Sequence, residues 1–256
     1  MLGAIAGDII GSRFEFEPTK ETDFQLFADD CRFTDDTVLT LATAFSLLTD
    51  GNYAENYRIF GRLYPLAGYG SKFIQWLESP EPAPYGSWGN GSAMRVSPVG
   101  FALDDEREVL EEAERSARAS HDHPEGIKGA QAVALAVLLA RNGADSQQIR
   151  SELGQRFDYD LTRTAAEIRP SYSFDVSCAG SVPEALICGC EAADWEEAVR
   201  LAVSLGGDAD TQGCMAGALA EARFGGVPAE IGGVARGFLP PHLAEVFDDF
   251  QATYSS

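Results

Sequence analysis

Basic side chains are scarce in this chain: 19 lysines and arginines stand against 40 aspartates and glutamates, a formal charge of −21 over 256 residues. So anionic a surface repels phosphate backbones and anionic headgroups, which argues against membranes, and against nucleic acid except as a modified substrate. Long apolar runs are missing too. The opening "MLGAIAGDIIGSRFEF" is interrupted by Asp8 and has no basic segment before it. It therefore reads as neither a signal peptide nor a membrane span, and we expect a cytoplasmic protein. The five cysteines are an odd number without the spacing of a disulfide framework, which points to reduced, packed thiols. Cys188 and Cys190 lack the second Cys/His pair of a zinc site and are read as packing residues. No Ser/Pro-rich linker, repeat or low-complexity block divides the chain, so we expect one domain over residues 1–256, acting as a monomer.

Alternating strand patterns are absent, whereas helical periodicity is nearly everywhere. "TVLTLATAFSLLTDG" places Val38, Leu41, Ala42, Phe45 and Leu48 on one stripe, and "EGIKGAQAVALAVLLARNG" and "WEEAVRLAVSLGG" behave alike. "LDDEREVLEEAERSARAS" puts Val109, Leu110, Ala113 and Ala117 inward, with Glu111 and Glu114 at i,i+4 to Arg115 and Arg118. The expected fold is all-α, a compact many-helix orthogonal bundle joined by loops such as "ESPEPAPYGSWGNGS". Small residues recur at intervals of four in Gly3, Gly7 and Gly11, and again in Gly213 and Gly217 with Ala216 and Ala220. Glycine costs about 1 kcal/mol relative to alanine inside a helix, so its repetition marks two helices whose backbones approach closely at the centre of the fold.

Two acidic stretches carry the chemical signal. In "RFTDDTVLTLA", Thr34 is placed to cap a helix whose first turn holds Asp35 and Asp36; in "SLGGDADTQG", Gly206 and Gly207 end one helix and Asp208, Asp210 and Thr211 open the next. A cap needs only one such side chain. If the two helix N-termini converge, their carboxylates repel one another unless they are protonated or hold a cation, and all-oxygen ligands favour Mg²⁺, Mn²⁺ or Ca²⁺. "DADT" also resembles the D-x-D-x-T nucleophile loop of phosphoryl-transferring hydrolases. That loop follows a buried strand, whereas this one follows a helical pattern.

Other polar clusters can complete a site. Glu15 and Glu17 follow the glycine-rich first helix, where a carboxylate can orient or deprotonate water. Gly86, Ser87, Trp88, Gly89, Asn90 and Gly91 offer backbone N–H groups to an anion and an aromatic face to a ring. His121 and His123 precede a helix with Pro124 at its first position. No further ligand accompanies that pair, so His121 is read as a hydrogen-bonding residue and His242 as structural or exposed.

In this order the motifs resemble the ADP-ribosylglycohydrolase family. The likeness runs through "GAIAGDIIGSRFE", "FTDDT", "GYGS", "GSWGNGSAMRV", "SHDHPEGIKGA" and "AVSLGGDADTQGCMAGALAEARFG". It implies a dinuclear Mg²⁺ or Mn²⁺ centre at convergent helix N-termini, with Thr34, Asp35, Asp36, Asp208, Asp210 and Thr211 as metal ligands. It also implies Glu15 and Asp36 as catalytic carboxylates, and Tyr69, Gly70, Gly86, Ser87, Trp88, Asn90 and His121 as substrate contacts. The implied reaction is cleavage at C1″ of the distal ribose, freeing ADP-ribose from a modified protein or small molecule. The alternatives are a non-catalytic ADP-ribose-binding or structural protein of this fold, and a hydrolase of another nucleoside-linked small molecule. Trp88 stands where a tyrosine is common, and Lys72 where a second glycine is often found, a change that bears on the acceptor.

Overall fold

The computed structural model describes residues 1–254. Its first helices are α1 (Leu2–Gly11), α2 (Asp35–Leu48), α3 (Tyr53–Leu63) and α4 (Ser71–Glu78). Next come α5 (Gly91–Met94), α6 (Ser97–Ala102), α7 (Glu106–Arg118) and α8 (Pro124–Arg141). They are followed by α9 (Ser146–Phe157), α10 (Ala165–Ile168), α11 (Cys178–Glu191) and α12 (Trp195–Val203). The last three are α13 (Ala209–Phe224), α14 (Ala229–Gly237) and α15 (Pro241–Tyr254). Among the described residues extended pairing is confined to an isolated bridge between Gly89 and Ser177, so the all-α expectation holds.

Local chemistry starts these helices. Asp105, Asp145, Thr164, Ser177 and Asp194 each accept a backbone N–H of the first turn they precede. His123 caps α8 through Nδ1, with Pro124 in the first helical position, where its missing N–H costs nothing. On α7 the expected Arg118–Glu114 pair forms at 2.7 Å. Arg115 instead turns to Glu112 at 2.6 Å, leaving Glu111 to Arg107. Glu112 is the better partner because Tyr53 already fixes it with a hydrogen bond.

The centre of the molecule is the antiparallel pair α1 and α13. A Cβ on Gly3, Gly7 or Gly11 would penetrate the carbonyls of Gly217, Gly213 and Ala209 respectively. Only backbone on both sides permits this approach. The start of α1 is pinned by Glu221 of α13, whose carboxylate accepts from the Met1 amino group (2.6 Å) and from the N–H groups of Leu2 (3.2 Å) and Gly3 (2.6 Å). One apolar cluster, including Ile9, Leu41, Phe60 and Phe250, flanks this pair. A second, including Val133, Leu135, Leu186 and Met215, packs on its other side. All five cysteines are buried and unpaired. No helix among the described residues is long and apolar enough to cross a membrane.

Candidate metal centre and substrate cavity

The two acidic stretches meet. Thr34 caps α2 as expected, accepting from Asp36 N, and Thr211 Oγ1 at the start of α13 donates to Asp36 Oδ2 at 3.2 Å. On the α13 side the chain turns at Gly206, whose φ of +68° is left-handed backbone. Asp208 stands at the N-cap position without capping through its side chain. Its carboxylate instead accepts from Asn90 Nδ2 at 2.7 Å.

A further carboxylate lies between the stretches. Asp8, fully buried on α1, accepts from Thr34 N (2.9 Å), Thr34 Oγ1 (2.7 Å), Thr37 N (3.1 Å) and Thr37 Oγ1. It thus sits at the positive end of the α2 dipole. Sequence reading missed it as a site residue, although a lone aspartate within an otherwise apolar helix is a visible signal: a buried carboxylate requires partners.

Oxygens of Asp8, Asp36 and Asp210 lie within 4.8 Å of one another, as do those of Glu15, Asp208 and Asp210. Asp210 belongs to both triads. Burial, then the charge of Asp210, pushes the Asp8 carboxyl up to about 7 and that of half-buried Glu15 likewise to about 7. The same two causes, in the same order, hold Asp35, Asp36 and Asp208 well above the ordinary aspartate range.

The donor set fits a hard divalent cation. Every donor is oxygen, and Asp36 Oδ1 is buried without a hydrogen-bond partner, so a lone pair is left for a cation. Asp35 lines the adjoining cavity but stands outside both triads. Thr34 is not part of the cavity wall; its hydroxyl serves Asp8 and the first turn of α2. Glu17 is exposed and away from the cavity.

The cavity above the carboxylates measures about 460 Å³. Glu15, Asp35, Asp36, Asp208, Asp210 and Thr211 form its acidic end. Gly70, Ser71 and Lys72 at the start of α4 form one side; Ser87, Trp88, Asn90 and His121 form another. Trp88 and Phe174 are each 50% exposed at its rim, although both contribute to the wall. Two of the expected substrate contacts lie elsewhere. Tyr69 is buried under the wall, stacked on Phe73 with 5.4 Å between ring centroids. Gly86 is exposed outside it and donates its N–H to Asp122. Gly89 and Asn90 also spend their N–H groups within the protein, on Ser87 Oγ and Val176 O. The loop therefore offers an anion fewer free donors than its composition suggests. Phe174, Val176 and Arg95 line the cavity without having been singled out in the sequence.

Comparison with known proteins finds relatives over nearly the whole chain. The family described as ADP-ribosylglycohydrolase matches residues 1–252. Human ADP-ribosylhydrolase ARH3 is 29% identical over 306 residues, spanning 88% of this chain and 84% of the relative. The ADP-ribosylarginine hydrolase Tri1 of Pseudomonas putida is 26% identical over 273 residues, spanning 90% of this chain and 71% of its own. A solved structure titled "ADP-ribosylglycohydrolase-related protein complex" superposes with a TM-score of 0.72 at 26% identity, covering 99% of this chain and 96% of that one.

Proposed function

The chain belongs to the ADP-ribosylglycohydrolase family, and from that premise we propose that it is a divalent-cation-dependent hydrolase that cleaves the C1″ glycosidic bond of a distal ribose. ADP-ribose leaves from a modified protein side chain or small molecule. The observation that carries this reading is the pair of carboxylate triads sharing Asp210 at the foot of the cavity. Its volume of 460 Å³ is within the range of roughly 300 to 1,000 Å³ usual for small-molecule sites.

Asp8, Asp36 and Asp210 would hold one Mg²⁺ or Mn²⁺, and Glu15, Asp208 and Asp210 a second, with Thr211 and Asp35 completing the shells. Cations held there would supply Lewis acidity for the ribose hydroxyls and for an attacking water. Glu15 or Asp36 would accept a proton from the water whose oxygen bonds to C1″ as the C1″–acceptor bond breaks, the departing acceptor would take up a proton, and the surrounding carboxylates would stabilise positive charge developing at C1″. Asn90 keeps Asp208 aimed at the centre. Lys72 and His121, on the cavity wall, help an anionic pyrophosphate against the long-range field of the protein. Retention of the whole acidic set together with Glu15 favours turnover over a binding-only role.

The test is release of ADP-ribose, with Mg²⁺ or Mn²⁺, from a panel of ADP-ribosylated arginine, serine and nucleic-acid substrates. Asp210→Ala is expected to abolish it, and Glu15→Gln to slow it by roughly 10² to 10⁴-fold. No release from any substrate, or equal release by Asp210→Ala, overturns the proposal.

A further inference from the structure

Arg95, at the end of α5, is fully buried, and no carboxylate pairs with it among the described residues. Its guanidinium carbon stands 4.0 Å from the centre of the Tyr57 ring. Nη2 donates to Ser116 O (3.2 Å) and Ser120 Oγ (3.0 Å). Tyr57 is itself held by Thr43 Oγ1 at 2.8 Å and Ser116 Oγ at 2.7 Å, so the platform under the guanidinium is fixed. Ser120, also fully buried, lies 2.8 Å from His121 Nδ1.

The direction of that last hydrogen bond follows from counting protons. A guanidinium can only donate, so Ser120 Oγ accepts from Arg95 and its own hydrogen needs an acceptor. Among the described residues the acceptor within reach is His121 Nδ1. With a proton on Nδ1 instead, the buried serine hydrogen would have no partner, which is unfavourable. The ring proton therefore belongs on Nε2. That atom hydrogen-bonds no described residue, and the glycines beside it keep its surroundings open: a Cβ on Gly91 would stand only 3.1 Å away. His121 lines the cavity on this side.

We propose that Arg95 and Ser120 are positioning residues that lock His121 as the neutral Nε2–H tautomer, so that the ring donates one hydrogen bond into the cavity, to an oxygen of the bound substrate. Burial and the nearby Arg95 charge both disfavour a second ring proton. His121 is then a fixed donor for a phosphate or ribose oxygen; it neither transfers protons nor ligates a metal. The identity of that oxygen rests on the ADP-ribose reading of the cavity; the tautomer does not.

The experiment is long-range ¹H–¹⁵N correlation on the full chain labelled at histidine nitrogen, with His121→Gln supplying the assignment. The expected spectrum has a pyridine-type Nδ1 and a pyrrole-type Nε2 for His121, unchanged between about pH 5.5 and 8. A pyrrole-type Nδ1, a tautomer mixture, or protonation near the ordinary histidine value overturns the proposal, whatever the activity assays show. In Ser120→Ala the tautomers mix and ADP-ribose binds about two-fold more weakly, in proportion to the competent tautomer lost, while Ser120→Thr restores both. An unchanged tautomer in Ser120→Ala also overturns it.

Discussion

Asp8 and Glu15 govern how the cation-free protein responds to pH. In the fold both keep their protons to about pH 7, whereas in the unfolded chain they release them near 3.8 and 4.5. Between those limits the unfolded state carries fewer protons, so its ionisation draws the equilibrium toward unfolding. Their stabilising contribution is full below about pH 4 and is lost as the pH climbs to about 7. His121, held neutral by burial, acts in the opposite sense: its contribution is lost as the pH falls through its ordinary value of 6.5. The carboxyls outweigh it, since Asp35, Asp36 and Asp208 are raised as well. The cation-free Tm is therefore expected to fall from about pH 4.5 to about pH 7.5, and Mg²⁺ or Mn²⁺ to raise it far more at the upper pH, where Asp8 and Glu15 have largely given up their protons. Calorimetry with and without chelator measures this; a cation effect equal at both pH values would contradict it.

At the scale of elements, the site depends on how closely α1 and α13 approach, because Asp8 rides on one and Asp210 on the other. Gly7→Ala would drive a methyl group into Gly213 O and against Cys214 N. Backbone cannot step aside as a side chain can, so we expect about 1 to 3 kcal/mol of destabilisation together with weaker cation binding. Gly233→Ala, at an exposed position of α14 with nothing within 4 Å of its Cβ, is the control. It should stabilise by up to about 1 kcal/mol through helix propensity alone. Chemical denaturation and cation titration of both variants check the pair. The four-residue spacing of small residues made these helices legible as central, and Thr34 made the start of α2 legible as a cap. The Asn90 to Asp208 hydrogen bond was not legible, since it joins residues far apart in sequence.

For the whole molecule, the −21 charge opposes every anionic substrate. Raising salt from about 0.05 M to about 0.3 M shortens the screening length to well under 10 Å. It should lower KM for an ADP-ribosylated substrate severalfold and leave kcat nearly unchanged; a KM that rises with salt would show that local attraction dominates instead. We also propose that the chain folds as one domain, because α1 and α13 pack against helices from both of the large apolar clusters. One cooperative calorimetric transition is expected, and two separable transitions would refute it.

Periodicity, capping residues and the two Thr-plus-Asp stretches are local or repeated patterns, so the sequence by itself determined the all-α class and most of the acidic centre. The tertiary structure alone decided that Asp8 joins that centre, that Tyr69 and Gly86 stand off the cavity wall, and that Arg95 reaches His121 through Ser120. Each of these depends on where a residue ends up after helices distant in sequence have packed. Such positions are set by backbone approach and close packing across the core, which no local pattern encodes.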